Sequence, residues 1–377
     1  MRISLVGPTY PYRGGIAHHT TLLYKALREK HDVQFVSYKR QYPSWLFPGT
    51  SDKDPSAEAL RAHGVKFLVD SLNPITWIQA AREIVRFQPD LLVLPWWVVF
   101  WAPFYLVLTT WMRLFSSTRI VFLCHNVVEH ESSFSKRMIT RITLSRADSI
   151  VTQSNLESKK AKRFLGENFS VITGFHPTYA PLAVELIDHA RAVQKFNLQG
   201  NVLLFFGFVR PYKGLDVLLD AMPAVLAARD VTLLVVGEFW KDKNIYLEQI
   251  STLGIGKHVR LVDKYVSNEF LPWYFAAADI VVQPYRSASG SGVSQLAYGF
   301  GKPVVATNVG NLSEVIQDGE NGLLVPPSNP DELAKALIAS LKETMLSHLL
   351  LKAQETKKSF SWDKLVTLIC DSDGSHA

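Results

Sequence analysis

The 377 residues are 47% hydrophobic and 20% charged, which excludes a disordered chain and is long enough for two domains, each with its own core. The net charge of +6 is uneven: residues 1–178 hold 22 Lys+Arg against 13 Asp+Glu, and the remainder 18 against 21. A basic first half points to an anionic partner such as a membrane surface or a phosphorylated substrate, while the lack of a base-stacking motif disfavours nucleic acid.

Two cysteines, Cys124 and Cys370, give no disulfide framework and fit a reducing compartment. The opening MRISLVGPTYP does not read as a signal peptide. Arg2–Val6 is an apolar strand leading into Gly14-Gly15, and a helix follows with Ile16, Leu22, Leu23, Ala26 and Leu27 on one face. Val33–Val36 is a second strand, so the chain opens as a parallel α/β sheet. The Gly-Gly loop is not G-x-G-x-x-G, which disfavours a dehydrogenase-type dinucleotide site. Residues 40–56 read as a loop, Thr76–Phe87 as a helix and Asp90–Leu94 as a strand.

From Leu91 to Met112 runs a stretch of 22 uncharged residues with four tryptophans, Trp96, Trp97, Trp101 and Trp111. Its length could span a bilayer. Pro95 and Pro103 interrupt it, and its aromatics are spread through it instead of gathered at two ends. It is therefore expected as a strand followed by an apolar helix, buried or lying on a membrane. Arg119–Leu123 is the next strand, ending at Cys124-His125-Asn126; Ser135–Arg146 is a basic helix, and Ile150–Thr152 and Val171–Thr173 complete the first sheet.

Residues 1–178 are thus expected as the first domain and 179–200 as a linker carrying a helix near Val184–Phe196. Residues 201–358 are expected as the second domain, and 359–377 as a final helix and tail packing back on the first. The second domain repeats the alternation: strands Val202–Phe206, Thr232–Val236, Val259–Val262, Ile280–Gln283 and Pro303–Thr307, with helices Leu215–Ala227, Ile245–Leu253, Asn268–Ala277 and Pro330–Leu341. No repeat or low-complexity tract is present.

Two turns of the second domain carry chemistry. The first, Gly207 to Gly214, places Arg210 and Lys213 between a strand end and a helix start, where a planar fork of donors and a compact charge together suit a diphosphate. The second, Ser289-Gly290-Ser291-Gly292 before Val293, offers small side chains, free backbone and an opening helix whose first N–H groups point outward. Either alone could be an ordinary turn; together they form a candidate phosphate cradle.

The segments FFGFVRPYKGLDVLLDAM, ADIVVQPY, GKPVVATNVGNLSEVI and GENGLLVPP, with GGIAHHT and CHN in the first half, resemble family-4 glycosyltransferases of the GT-B fold. The resemblance covers nearly the whole chain apart from Pro43–Asp70 and Leu91–Met112. It implies two facing Rossmann-like α/β domains with a nucleotide-sugar in an inter-domain cleft, no essential metal or cofactor, and usually retention at the anomeric carbon. It further implies that Arg210 and Lys213 hold the diphosphate and stabilise the leaving charge. Gly14 and Gly15 would let backbone approach sugar or phosphate, and His125, beside Asn126, would sit over the donor sugar. Glu238 would line the cleft, and Tyr265 and Val266 would flank the base. The chain departs from the family at two acidic positions, where Ser289 (or Ala288) and Leu296 stand; Gln295 is the remaining candidate for the ribose hydroxyls.

Glu129, His130 and Glu131 are candidates for meeting an acceptor hydroxyl, and an exposed polar loop explains them equally well. Cys124 beside His125 is not a nucleophile pair, because adjacent strand residues face opposite ways. The expected activity is metal-independent transfer of a hexose-type sugar from a UDP- or GDP-sugar to a glycan or lipid-linked hydroxyl in bacterial-type polysaccharide or glycolipid synthesis, in the cytoplasm, either free or peripheral on the inner face of the membrane. The alternatives are a catalytically weak relative that binds nucleotide or a partner, and a sugar-nucleotide epimerase, for which no acid/base pair is seen.

Overall fold

A computed structural model describes residues 1–43, 51–57, 59–128, 133–183, 187–240, 243–288 and 290–371. Glu129, His130, Glu131 and Ser289 lie outside the described residues. The chain divides into two compact units: Met1–Pro55, Leu60–His176 and Trp362–Ala377 form the first, and Ser56–Ala59 with Pro177–Ser361 the second.

Among the described residues, the first unit carries a parallel sheet of seven strands: β1 (Arg2–Val6), β2 (Asp32–Arg40), β3 (Lys66–Asp70), β4 (Leu91–Trp96), β5 (Arg119–Cys124), β6 (Ser149–Thr152) and β7 (Val171–Thr173). Their order is β3-β2-β1-β4-β5-β6-β7, with Leu5 paired to Phe35 on one side and to Val93 on the other. Helices α1 (Gly15–Arg28), α2 (Pro74–Phe87), α3 (Ala102–Phe115), α4 (Phe134–Leu144) and α5 (Asn155–Leu165) alternate with the strands. Strand β3 and helix α5 escape the sequence reading. The KFLVD of β3 shows only one fully buried residue, because it lies at the sheet edge, and α5 is too rich in Lys and Arg to show an apolar stripe.

The tryptophan-rich stretch is core. Every residue of β4 is buried, and α3 buries Ala102, Phe104, Tyr105, Leu108, Thr109 and Met112. Trp101 stacks on Tyr38 at 4.2 Å, and the Tyr105 hydroxyl donates to the Pro95 carbonyl at 2.7 Å. The pairing of β4 with β1 ends at Val93, so the N–H that Pro95 lacks leaves no bond to β1 unmade. Among the described residues no helix is long and apolar enough to cross a membrane.

The second unit holds, among the described residues, six parallel strands: β8 (Asn201–Phe206), β9 (Val231–Val236), β10 (Val259–Val262), β11 (Ile280–Gln283), β12 (Val304–Thr307) and β13 (Gly322–Val325), ordered β10-β9-β8-β11-β12-β13. Helix α6 (His189–Lys195) comes before β8; α7 (Leu215–Ala228), α8 (Lys243–Thr252), α9 (Leu271–Ala277), α10 (Gly292–Gly299) and α11 (Leu312–Val315) alternate with the strands. Helices α12 (Pro330–Ser340) and α13 (Glu343–Ser359) follow β13. The stretch expected as a linker belongs to this unit: Phe196, just past α6, stacks on Tyr274 of α9 at 4.6 Å. Ser56 also belongs here, its hydroxyl accepting the Asn268 N–H at 2.8 Å. The chain then returns to the first unit as α14 (Trp362–Cys370), which packs on α1 and receives Arg119 at its last carbonyls.

Candidate functional site

In an open parallel sheet, ligands meet the carboxyl ends of the strands where the strand order reverses. In the second unit that point lies between β8 and β11, paired at Leu203–Ile280 and Leu204–Val281. The two turns singled out in the sequence follow these two strands, so distant segments become neighbours. The Arg286 N–H donates to the Tyr212 carbonyl at 2.7 Å, and the Arg286 side chain pairs with Asp216 at the start of α7. Gly214 has φ +66°, and a Cβ there would stand 2.0 Å from the Pro284 carbonyl oxygen, so only glycine lets these turns meet.

Lys213 ends a tight turn, Pro211–Lys213, and is 8% exposed. Its ammonium lies beside Gly207 and 5.5 Å from the Tyr285 ring, with no carboxylate or carbonyl acceptor among the described residues. Burial, together with the neighbouring Arg210 charge, lowers its pKa to about 7. Arg210 is half-buried, its guanidinium carbon 3.5 Å from the Trp240 ring centre and its Nε without a partner; burial lowers its pKa as well. A buried ammonium and a half-buried guanidinium with no counter-ion among the described residues are costly unless an anion completes them.

Facing elements supply neutral donors. Ser291 caps α10, its hydroxyl accepting the Val293 N–H at 3.2 Å and lying 3.5 Å from the Tyr285 hydroxyl. Gly290 passes close to the Asn311 amide, Gly292 to the Tyr179 ring, and a Val293 methyl reaches toward Gly207. Gln295 is buried with Oε1 unpartnered, while its carbonyl accepts the Tyr179 N–H; Leu296, at the family's second acidic position, packs against the core. Val266 is part of that core, so only its main chain is left to meet a ligand. Tyr265 instead joins an aromatic wall with Phe208 (6.4 Å), which also meets Trp240 (4.8 Å). The Glu238 carbonyl accepts the Val209 N–H and holds the Trp240 loop against the Arg210 turn. Phe208 and Trp240 were not singled out in the sequence; both follow strand ends, which is the signal that could have found them.

The first unit holds a separate cluster. Gly14 has φ +107° and starts α1, with no atom within 4 Å of where a Cβ would stand; Gly15 is the first helical residue. His125 follows β5 and is surrounded by groups the sequence reading did not single out. His19 lies 4.6 Å from it ring to ring, His176 lies 6.4 Å away, and Trp362 meets His19 at 4.9 Å. The Gln153 amide donates to His19 Nε2 at 3.0 Å. Burial, reinforced by His176, lowers the His125 pKa to about 3, so its ring is neutral; its Nε2 is enclosed without a partner. His19 is lowered too, again by burial first. Asn126 is half-buried beside His125. Burial raises the Cys124 thiol pKa well above its usual value, so it offers no thiolate. No group of three or more His, Cys, Asp or Glu able to hold a metal occurs among the described residues.

Residues 14–177 match the glycosyl transferase 4-like domain, and residues 200–343 match glycosyl transferases group 1. The chain belongs to the group 1 glycosyltransferases. It is 31% identical over 193 residues to D-inositol 3-phosphate glycosyltransferase of Jonesia denitrificans, covering 48% of this chain and 45% of that one. The match to the Rhodococcus jostii protein of the same name is 31% over 231 residues, 58% of this chain and 51% of that one. The chain thus spans about half the length of the curated relatives it matches. Among solved structures it is similar to Anabaena HepE in complex with UDP-glucose, with a TM-score of 0.73, 18% identity and 98% of each chain covered. The likeness to solved structures establishes the fold as GT-B, two parallel-sheet α/β domains.

Proposed function

We propose that this glycosyltransferase moves a hexose from a UDP- or GDP-sugar to a hydroxyl of a glycan or lipid-linked acceptor, in polysaccharide or glycolipid synthesis. The observation that carries the reading is Lys213, an enclosed and unpaired ammonium beside Arg210, opposite the capped start of α10. A diphosphate supplies the missing anion: Lys213 and Arg210 take its oxygens, Ser291 and the first N–H groups of α10 add neutral donors, and the base lies along Phe208, Trp240 and Tyr265. The Anabaena relative, solved with UDP-glucose, supports this class of donor.

When the sugar departs, negative charge grows on the diphosphate, and the same two cations stabilise it. Transfer then needs no metal or other cofactor. No carboxylate nucleophile is found among the described residues of the α10 loop, so front-face transfer with retention is the simplest course. His125, neutral at physiological pH, is able to donate or accept a hydrogen bond. The free cysteines and the basic first half fit work in a reducing compartment, on an anionic membrane face.

Incubation with a panel of nucleotide-sugars and detection of released UDP or GDP tests the reading. Arg210→Ala and Lys213→Ala are each expected to lower turnover by roughly 10²–10³-fold with the fold intact, and chelator is expected to leave the rate unchanged. Near-normal turnover in both variants would defeat the assignment. The Leu296 substitution favours one second reading, a nucleotide-binding relative with little transfer. Tight calorimetric binding of UDP without release from any donor would select it.

A further inference from the structure

Helices α4 and α5 face each other across an open groove of about 630 Å³. Its walls are Phe134, Arg137, Met138 and Arg141 of α4, at i, i+3, i+4 and i+7, and Lys160, Arg163 and Phe164 of α5, with Val128 at one end. These are the spacings at which a helix normally buries an apolar stripe. Here, however, Phe134 is 79% and Met138 50% exposed, and Ile139 and Ile142 are also exposed. The two helices carry seven cations and one carboxylate, and that carboxylate, Glu157, is buried, accepting the Val127 N–H and pairing with Lys160. No carboxylate among the described residues pairs with Arg137, Arg141 or Arg163.

We infer that this groove docks the first unit on an anionic phospholipid bilayer, the cations taking lipid phosphates and Phe134, Met138 and Ile142 entering the acyl boundary. An exposed apolar row flanked by cations on one helix is the pattern of an interfacial helix. The groove is far larger than a phosphate ion needs, which favours a head group with its chains over a free anion. The surface replaces the tryptophan-rich stretch as the membrane-facing element, since Trp96 and Trp101 of that stretch are buried and Trp97 and Trp111 pack against the core. Val128 at one end of the groove stands three residues past His125, and the neighbouring Val127 N–H is tied to Glu157 of α5, so an acceptor lying in the bilayer surface would be delivered close to that imidazole.

The inference rests on the membrane placement proposed above and on none of the transfer chemistry. Flotation of the full chain with phosphatidylglycerol vesicles is expected to show binding at low salt that weakens at high salt and is absent on phosphatidylcholine. Arg137→Glu with Arg141→Glu is expected to weaken it roughly 25-fold or more, and Phe134→Ser with Met138→Ser about tenfold. All four positions lie on the helix surface, and unchanged melting and unchanged UDP binding would show both double variants folded. Inorganic phosphate at millimolar concentration is expected not to compete. Variants that bind like the parent would overturn the assignment of this surface, and competition by phosphate would reduce the groove to an ion site. A parent that fails to bind would overturn the membrane placement, leaving UDP release from a soluble donor to judge the transfer reading separately.

Discussion

Lys213 sets the pH behaviour of the donor site. With a pKa near 7 in the free protein, it is charged below that pH and neutral above it. A bound diphosphate favours the ammonium and raises the pKa, so binding takes up a proton above pH 7. UDP affinity is therefore expected to fall from pH 7 to 9 by up to about tenfold per unit, read by calorimetry in buffers of different ionisation enthalpy. A Lys213→Arg variant should show a much flatter profile. The sign is opposite for stability in acid. His125 and His19 have lowered pKa values, so the unfolded chain binds more protons than the native one below pH 6.5. The first unit should keep its full stability above pH 6.5 and lose it progressively toward pH 3. Melting at pH 4.5 and pH 7 would measure this, with a smaller drop in His125→Gln. Of these residues, Arg210, Lys213 and His125 were legible in the sequence because they stand at strand ends in recognisable turns. His19, Gln153 and His176 were not, because they come from three separate segments.

Most individual elements follow from hydrophobic pattern and caps. Asn73, Ser154 and Asn329 cap α2, α5 and α12 through their side chains, and the buried strands are short apolar runs. The pattern fails where burial is partial, at the edge strand β3, or where charge masks it, as in α5. The turn between β8 and α7 is tightly constrained, since Gly214 combines a left-handed backbone with contact against Pro284. Gly214→Ala is expected to destabilise the second unit by about 2 kcal/mol or more, seen as a lowered melting midpoint with UDP binding weakened in parallel.

At the scale of the molecule, α14 is the departure from a simple order of two domains. It belongs to the first unit although the sequence places it last, with Leu365, Val366 and Ile369 buried and Trp362 against His19. Leu365→Ala is expected to cost the first unit about 2–4 kcal/mol. Because that loss falls in the first unit, UDP binding by the second should persist after the first has melted. Differential scanning calorimetry with and without UDP would separate the two transitions.

By itself, the sequence determined the alternation of strand and helix, the glycine turns and the cations they carry, because each is written in neighbouring residues. The tertiary structure alone decided what those turns meet. Strand order sets β8 beside β11, which turns Lys213 from one basic residue among many into an enclosed charge awaiting an anion. It buries Trp96 and Trp101, packs Trp97 and Trp111 half-buried against the same core, and leaves Phe134 and Met138 exposed instead. Burial depends on which distant segments pack together, and that information is shared across the chain.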